Sequence, residues 1–260
     1  MSDVLEHPIS VEPADYERSG GIPIFTQLFR KDANLPEALQ AVDARHDTDT
    51  DISAVSLACS VGAEADTLFA LHRRLGRAGG IVLRGFDIDP RAVRAANEGR
   101  YISLPISDYE FGDVTRTLHA HGFTETTKRH GDRYPQYVAR IDSAQVRNGY
   151  TAEFVVGDVI NDLRQEEAGA DLVLANNILF HLSPDDAAQL ARNAAQMLGK
   201  GGVLSFGDNP KQVAMDSNAV QTSMSYQEWL LRTAEVLTKE YGLTPILEGS
   251  KDAPVMYARD

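Results

Sequence analysis

Residues 52–87 read ISAVSLACSVGAEADTLFALHRRLGRAGGIVLRGFD, and this stretch decides the fold. Ile52 to Ala58 is a short apolar run ending in small residues, Glu64 to Leu75 carries apolar residues at helical spacing, and Ile81 to Asp87 repeats the strand pattern. Strand, turn, helix, strand is the unit from which parallel sheets are built. Pro90 opens a further helix through Glu98, at a position where a missing N–H costs nothing. Phe154 to Val156, Asp171 to Ala175 and Val203 to Phe206 predict more strands, with a helix from Pro184 to Leu198 before the last. A helix from Tyr226 to Tyr241, closed by Gly242, precedes two short apolar runs, Leu243 to Leu247 and Val255 to Ala258, which the turn-rich GSKDAP separates. The expectation is an α/β fold with a doubly wound, mostly parallel sheet and a terminal β-hairpin.

The 260 residues, 43% of them hydrophobic, suffice for one sizeable core. Met1 to Gly21 reads as a loose arm, so residues 1–45 are expected to form an N-terminal arm with short helices, and residues 46–260 the main domain. Residues 99–152, rich in Tyr, Phe and His, are too long for a structureless loop and read as an inserted small element on the substrate side, with a peripheral decoration as the alternative. A net charge of −13 with scattered basic residues argues against nucleic acid and anionic lipid as partners. No apolar run approaches the roughly 20 residues of a membrane-spanning helix, and Cys59 is the only cysteine. A cytoplasmic location is expected, and no metal site is.

The turn Ala58-Cys59-Ser60-Val61-Gly62-Ala63-Glu64 is small throughout, so its backbone can approach a ligand at a helix N-terminus, or can serve close strand-helix packing. It is not G-x-G-x-x-G, which speaks against a nicotinamide oxidoreductase. Asp87 and Asp89 follow the second strand at the carboxyl edge of the sheet. Asp89, next to Pro90, is the natural helix cap, which leaves Asp87 to accept the hydroxyls of a ribose. Asp158 follows a later strand, either as a solvated loop residue or as an acceptor for an adenine amine. Asn176 and Asn177 leave the fourth strand at the expected ligand crevice, where they bond to neighbouring loops or hold the ligand's polar end. His181 lies one turn further on, as a structural group or a general base.

In this order the pieces resemble the chemotaxis receptor methyltransferases, the CheR type of class I S-adenosylmethionine enzyme. The likeness begins at Phe25-Thr26-Gln27-Leu28-Phe29-Arg30, similar to the family's Thr-x-Phe-Phe-Arg. It continues through the turn from Ala58 to Glu64, which stands for Gly-Cys-Ser-Thr-Gly-Glu-Glu, and through Phe86-Asp87-Ile88-Asp89. Glu98-Gly99-Arg100-Tyr101 and Asn176-Asn177-Ile178-Leu179 match its Gly-x-Tyr and Arg-Asn-Val-Leu, so that coverage runs from about Phe25 to Phe206.

The resemblance implies S-adenosylmethionine as cofactor and a Rossmann-like sheet of seven strands. It places Thr26 and Arg30 at the cofactor's methionine end, Ala58 and Gly62 in the cofactor turn, and Glu64 on the methionine ammonium. Asp87 would take the ribose, Asp158 and Val159 would frame the adenine, and Asn176 and Asn177 would fill the family's Arg-Asn pair. Three departures bear on the acceptor. Only some twenty-five residues precede Thr26, where the family has a helical domain that helps recognise the receptor; Asn176 replaces an arginine; and His181 replaces a tyrosine. The expectation is therefore O-methylation of a small carboxylate or hydroxyl compound, with Arg30 and His181 as candidate catalytic groups. Methylation of protein glutamates, or a catalytically silent cofactor-binding module, stands as the alternative.

Overall fold

The computed structural model describes residues 9–10, 34–99, 102–106, 123–130, 135–141, 143–162, 168–176, 178–179, 182–207, 226–248 and 254–260. In chain order its elements begin with strand β1 (Ile9–Ser10), helix α1 (Leu35–Asp43), β2 (Ile52–Leu57), α2 (Ala63–Leu75), β3 (Ile81–Asp87) and α3 (Pro90–Glu98). Next come β4 (Ile102–Ile106), β5 (Phe123–His130), β6 (Pro135–Ile141), the single turn α4 (Ser143–Val146), β7 (Thr151–Val156) and β8 (Ala170–Leu174). The chain closes with α5 (Pro184–Met197), β9 (Leu198–Ser205), α6 (Tyr226–Glu235), β10 (Thr244–Glu248) and β11 (Pro254–Ala258).

Seven strands form one sheet in the order β10-β11-β9-β8-β2-β3-β7. β11 is antiparallel to both its neighbours, while the β9-β8, β8-β2, β2-β3 and β3-β7 pairs are parallel. The expected doubly wound sheet with a terminal hairpin is thus what the chain forms. Its winding reverses between β2 and β8, because the chain builds outward from β2 through β3 to β7 and then returns to start β8 on the other side. Such a reversal opens a crevice at the carboxyl ends of the strands, where ligands of open α/β sheets bind.

Both faces of the sheet are buried, and the alternation of side chains along each strand explains how. Ala54, Leu83, Leu172, Leu174, Val203 and Met256 join the apolar cluster with Leu39 of α1, Phe69 of α2 and Val93 of α3. Val55, Leu57, Val173, Leu204 and Tyr257 point the other way, into a cluster with Leu190 of α5 and Leu230 of α6.

Several boundaries differ from the sequence expectation. β9 starts at Leu198 rather than Val203. A Cβ on Gly199 would lie 2.9 Å from the Gly169 carbonyl oxygen, and one on Gly202 would lie 2.6 Å from that of Ala170, so these glycines permit close strand approach rather than a turn. The helix after Tyr226 is α-helical only to Glu235 and then widens into a π-helical turn, Val236–Glu240, before Gly242 closes it at φ +65°. β7 begins at Thr151, three residues before the apolar run that announced it.

A second sheet has the order β1-β4-β6-β5. β6 is antiparallel to β4 and β5, and Ile9–Ser10 of the expected loose arm pair parallel with Ile102–Ser103. Residues 102–141 therefore hold a sheet of their own, whereas Val146 beyond it is buried in the main core. Among the described residues no helix is long and apolar enough to cross a membrane.

Candidate cofactor site

The turn between β2 and α2 takes an unusual path. Ala58, Ser60 and Gly62 have φ of +58°, +50° and +85°, a left-handed conformation that two of the three adopt at a steric cost. The path holds because the Cys59 amide donates to the Phe86 carbonyl at 2.9 Å, pinning the turn to the end of β3. Gly62 is the N-cap of α2 and has no side chain to occupy the first-turn amides, which leaves them to a ligand.

Two carboxylates flank this turn. Asp87, the last residue of β3, accepts from the Ser60 amide at 2.8 Å and from the Asp89 amide at 2.9 Å, one bond to each oxygen. Each oxygen keeps a lone pair for a diol. Asp89 caps α3 as expected: it accepts from the Arg91 amide at 2.9 Å, and the Arg91 guanidinium donates to both its oxygens, holding its carboxyl below the usual range.

Glu64 lies in the first turn of α2, where the helix dipole favours an anion. Its carboxylate accepts from the Ser56 hydroxyl at 2.8 Å and from Asn176 Nδ2 at 2.5 Å. Asn176, only 7% exposed, also accepts through Oδ1 from the Gly207 amide at 2.5 Å and from the Ser205 hydroxyl at 3.4 Å. The described bonds of Asn176 thus run to protein groups, tying the ends of β8 and β9 to Glu64 across the crevice. Cys59 sits between the two acids, and burial first, then Asp87 and Glu64, push its thiol well up.

Asp158 follows β7. It accepts from the Ile160 amide at 2.9 Å and the Asn161 side chain at 2.8 Å, and the Asn161 bond first, then the Ile160 amide, hold its carboxyl below the usual range. Asn193 of α5 fixes the same loop by donating to the carbonyls of buried Val159 and of Ile160, at 2.9 and 2.8 Å. Ile88, between the two aspartates, is 70% exposed, and Val156, paired with Asp87, is half-exposed, so an apolar rim stands beside polar groups.

Ala58, Gly62, Glu64, Asp87 and Asn176 are therefore gathered about one crevice, and Asp158 and Val159 stand on the loop after neighbouring β7. Thr26, Arg30, Asn177 and His181 lie outside the described residues. Sequence reasoning missed Ser56, Ser205, Gly207, Asn193 and Ile88. A serine inside the apolar run ISAVSLA and an isoleucine bracketed by aspartates were the available signals.

The crevice suits a cationic adenosyl cofactor. The Glu64 carboxylate matches an ammonium, the Asp87 carboxylate a ribose diol and the apolar rim a flat base, and the buried Ser60 hydroxyl, without a hydrogen-bond partner among the described residues, lies beside Asp87. Among the described residues no group of three or more His, Cys, Asp and Glu side chains could hold a metal ion.

The doubly wound seven-stranded sheet, with Glu64 in the first turn after β2 and Asp87 at the end of β3, is that of a class I S-adenosylmethionine-dependent methyltransferase. Residues 25–228 match the CheR methyltransferase, SAM binding domain, and the chain belongs to that family. No curated protein matches the sequence. Similar solved structures include a TehB-like SAM-dependent methyltransferase from Corynebacterium glutamicum, 16% identical over 86% of this chain and 85% of that one, with a TM-score of 0.41. The PH0226 protein from Pyrococcus horikoshii is 16% identical over 95% and 99% of the two chains, with a TM-score of 0.48. An O-methyltransferase family protein from Burkholderia thailandensis is 15% identical over 87% of this chain and 57% of its own, with a TM-score of 0.43.

Proposed function

We propose that this methyltransferase transfers the methyl group to an oxygen of a small carboxylate or hydroxyl compound, rather than to a nucleic acid or a membrane component. The observation that carries this reading is the pairing of Ile9–Ser10 with Ile102–Ser103. It joins the arm that precedes Thr26 and Arg30 in the chain to the inserted sheet, which supports reading that sheet as a substrate-side element. The charge of −13 supports the exclusion of polyanions.

S-adenosylmethionine supplies an electrophilic methyl on sulfur, and the chain's own part is to orient and to exclude water. Glu64, held by Ser56 and Asn176, would receive the methionine ammonium, and Asp87 would receive the ribose hydroxyls. A carboxylate acceptor is already anionic and needs only alignment by a cation, for which Arg30 is the candidate. A hydroxyl acceptor gains about 10² to 10⁴-fold from a general base, for which His181 is the candidate.

Assays over a panel of small carboxylates and phenols decide between the two. With a hydroxyl acceptor, His181→Ala lowers kcat by roughly 10² or more and the wild-type rate rises through the histidine's pKa. With a carboxylate acceptor, the profile is flat from about pH 6 to 8 and Arg30→Ala is the damaging change. Turnover on glutamates of a receptor peptide with none on the panel would refute the proposal.

A further inference from the structure

Behind the cofactor turn lies a buried ion pair that the chemistry above does not use. Asp66 is 1% exposed and accepts from Arg147 Nε at 2.7 Å through one oxygen and from the Ser143 hydroxyl at 2.8 Å through the other. The Arg147 guanidinium also donates to the Ala96 carbonyl of α3 at 2.5 Å and lies 4.7 Å above the Phe154 ring of β7. Its remaining nitrogen is buried without a hydrogen-bond partner among the described residues and faces Gly62: a Cβ there would lie 2.7 Å from it. One side chain therefore contacts α2, α3, β7 and the cofactor turn together.

The position of this cluster in the chain gives it a consequence. Ser143 follows the last inserted strand, β6, by two residues, while Gly99 closes α3 three residues before the first, β4. The two stems meet, since a Cβ on Gly99 would lie 3.6 Å from the Ala144 amide nitrogen. Asp66 lies one turn into α2, and its amide donates to the Gly62 carbonyl at 3.0 Å. The path from insertion to cofactor turn is thus Ser143 and Arg147, Asp66, Gly62. Buried ion pairs add little stability over apolar residues of equal volume, so a pair at this junction is better explained by what it aligns.

We propose that Arg147, held by Asp66, is a positioning residue that couples the stem of the inserted sheet to the cofactor-binding turn, so that cofactor loading and placement of the insertion are linked. This rests on the cofactor occupying the turn from Ala58 to Glu64.

Hydrogen exchange of the wild type with and without S-adenosylhomocysteine tests the link. The expected result is slowed exchange at residues 143–150 as well as 58–66 and 87–89. In an Asp66→Leu/Arg147→Met variant, folding stability holds, slowing is confined to the turn, and the S-adenosylhomocysteine dissociation constant rises roughly two- to thirty-fold. Protection of the wild-type turn without the stem overturns the coupling, as does a folded double variant that binds with wild-type affinity. A wild type that binds no S-adenosylhomocysteine overturns the cofactor placement along with the coupling. Because the first arm uses only the wild type, failure of the variant to fold leaves the proposal open to refutation.

Discussion

Asn176→Asp replaces one atom and exposes how the site is held. Asp keeps the acceptor for the Gly207 amide, but the donor 2.5 Å from Glu64 becomes a second carboxylate oxygen. At an effective dielectric constant of ~20 and a separation of ~3 Å, two charges repel by about 5–6 kcal/mol. The pair can avoid this by sharing a proton, which restores the lost donor. Holding that proton costs about 1.36 kcal/mol for each pH unit above a carboxylate pKa of ~4.3, or ~3.7 kcal/mol at pH 7 and ~1 kcal/mol at pH 5. Screening by solvent at half-buried Glu64 lowers the neutral-pH figure, so a loss of about 2–4 kcal/mol is expected there. The folded pair binds its proton more tightly than the unfolded chain, so stability is full at low pH and is lost as pH rises through the raised folded pKa. Urea unfolding of both proteins at about pH 5 and pH 7 measures the difference. A penalty equal at the two pH values, or below roughly 0.5 kcal/mol at both, would show that Asn176 does not face Glu64 as described.

Asp87→Ala is expected to weaken S-adenosylhomocysteine binding by about 1.5–3 kcal/mol in calorimetry, whereas a purely structural Asp87 would lower the thermal midpoint and leave affinity unchanged. Ala58→Gly relieves a left-handed alanine at φ +58° while adding unfolded-state entropy, for a net gain of about 0.5–1 kcal/mol; a fall in midpoint would contradict the turn geometry. His72 is buried, bonded to the Tyr150 hydroxyl at 3.1 Å, and its pKa is lowered by burial first and then by Arg77. The unfolded chain then takes up the proton near pH 6.5 before the folded chain does, so stability falls as pH drops below that value. Thermal midpoints of His72→Phe should decline less than wild type between about pH 7 and pH 5; parallel declines would refute the assignment.

The sheet was legible because its signals are local. Apolar runs such as IVLRGFD and DLVLA, the cap at Asp89 and the closing glycine at Gly242 act within a few residues of themselves. The cap at Asp89 rather than Asp87 was legible for the same reason, since Pro90 fixes which of them can cap. What the sequence hid depends on distant partners. Asn176 meets Glu64 across 112 positions and Arg147 meets Asp66 across 81, and neither spacing leaves a periodic trace. The pairing of Ile9 with Ile102 is equally remote, so Met1 to Gly21, which contains Ile9, read as a loose arm. Gly199 and Gly202 misled differently: they serve close strand approach but have the composition of a turn, and only Gly201 between them takes the positive φ of one, +76°.

Titration calorimetry with S-adenosylmethionine, S-adenosylhomocysteine and NAD tests the central claim most directly. The two adenosyl ligands should bind on the order of micromolar, the lower end of the usual range for enzyme substrates, and NAD should not bind measurably. Binding of NAD in preference to S-adenosylhomocysteine, or no binding of either adenosyl ligand, would contradict it.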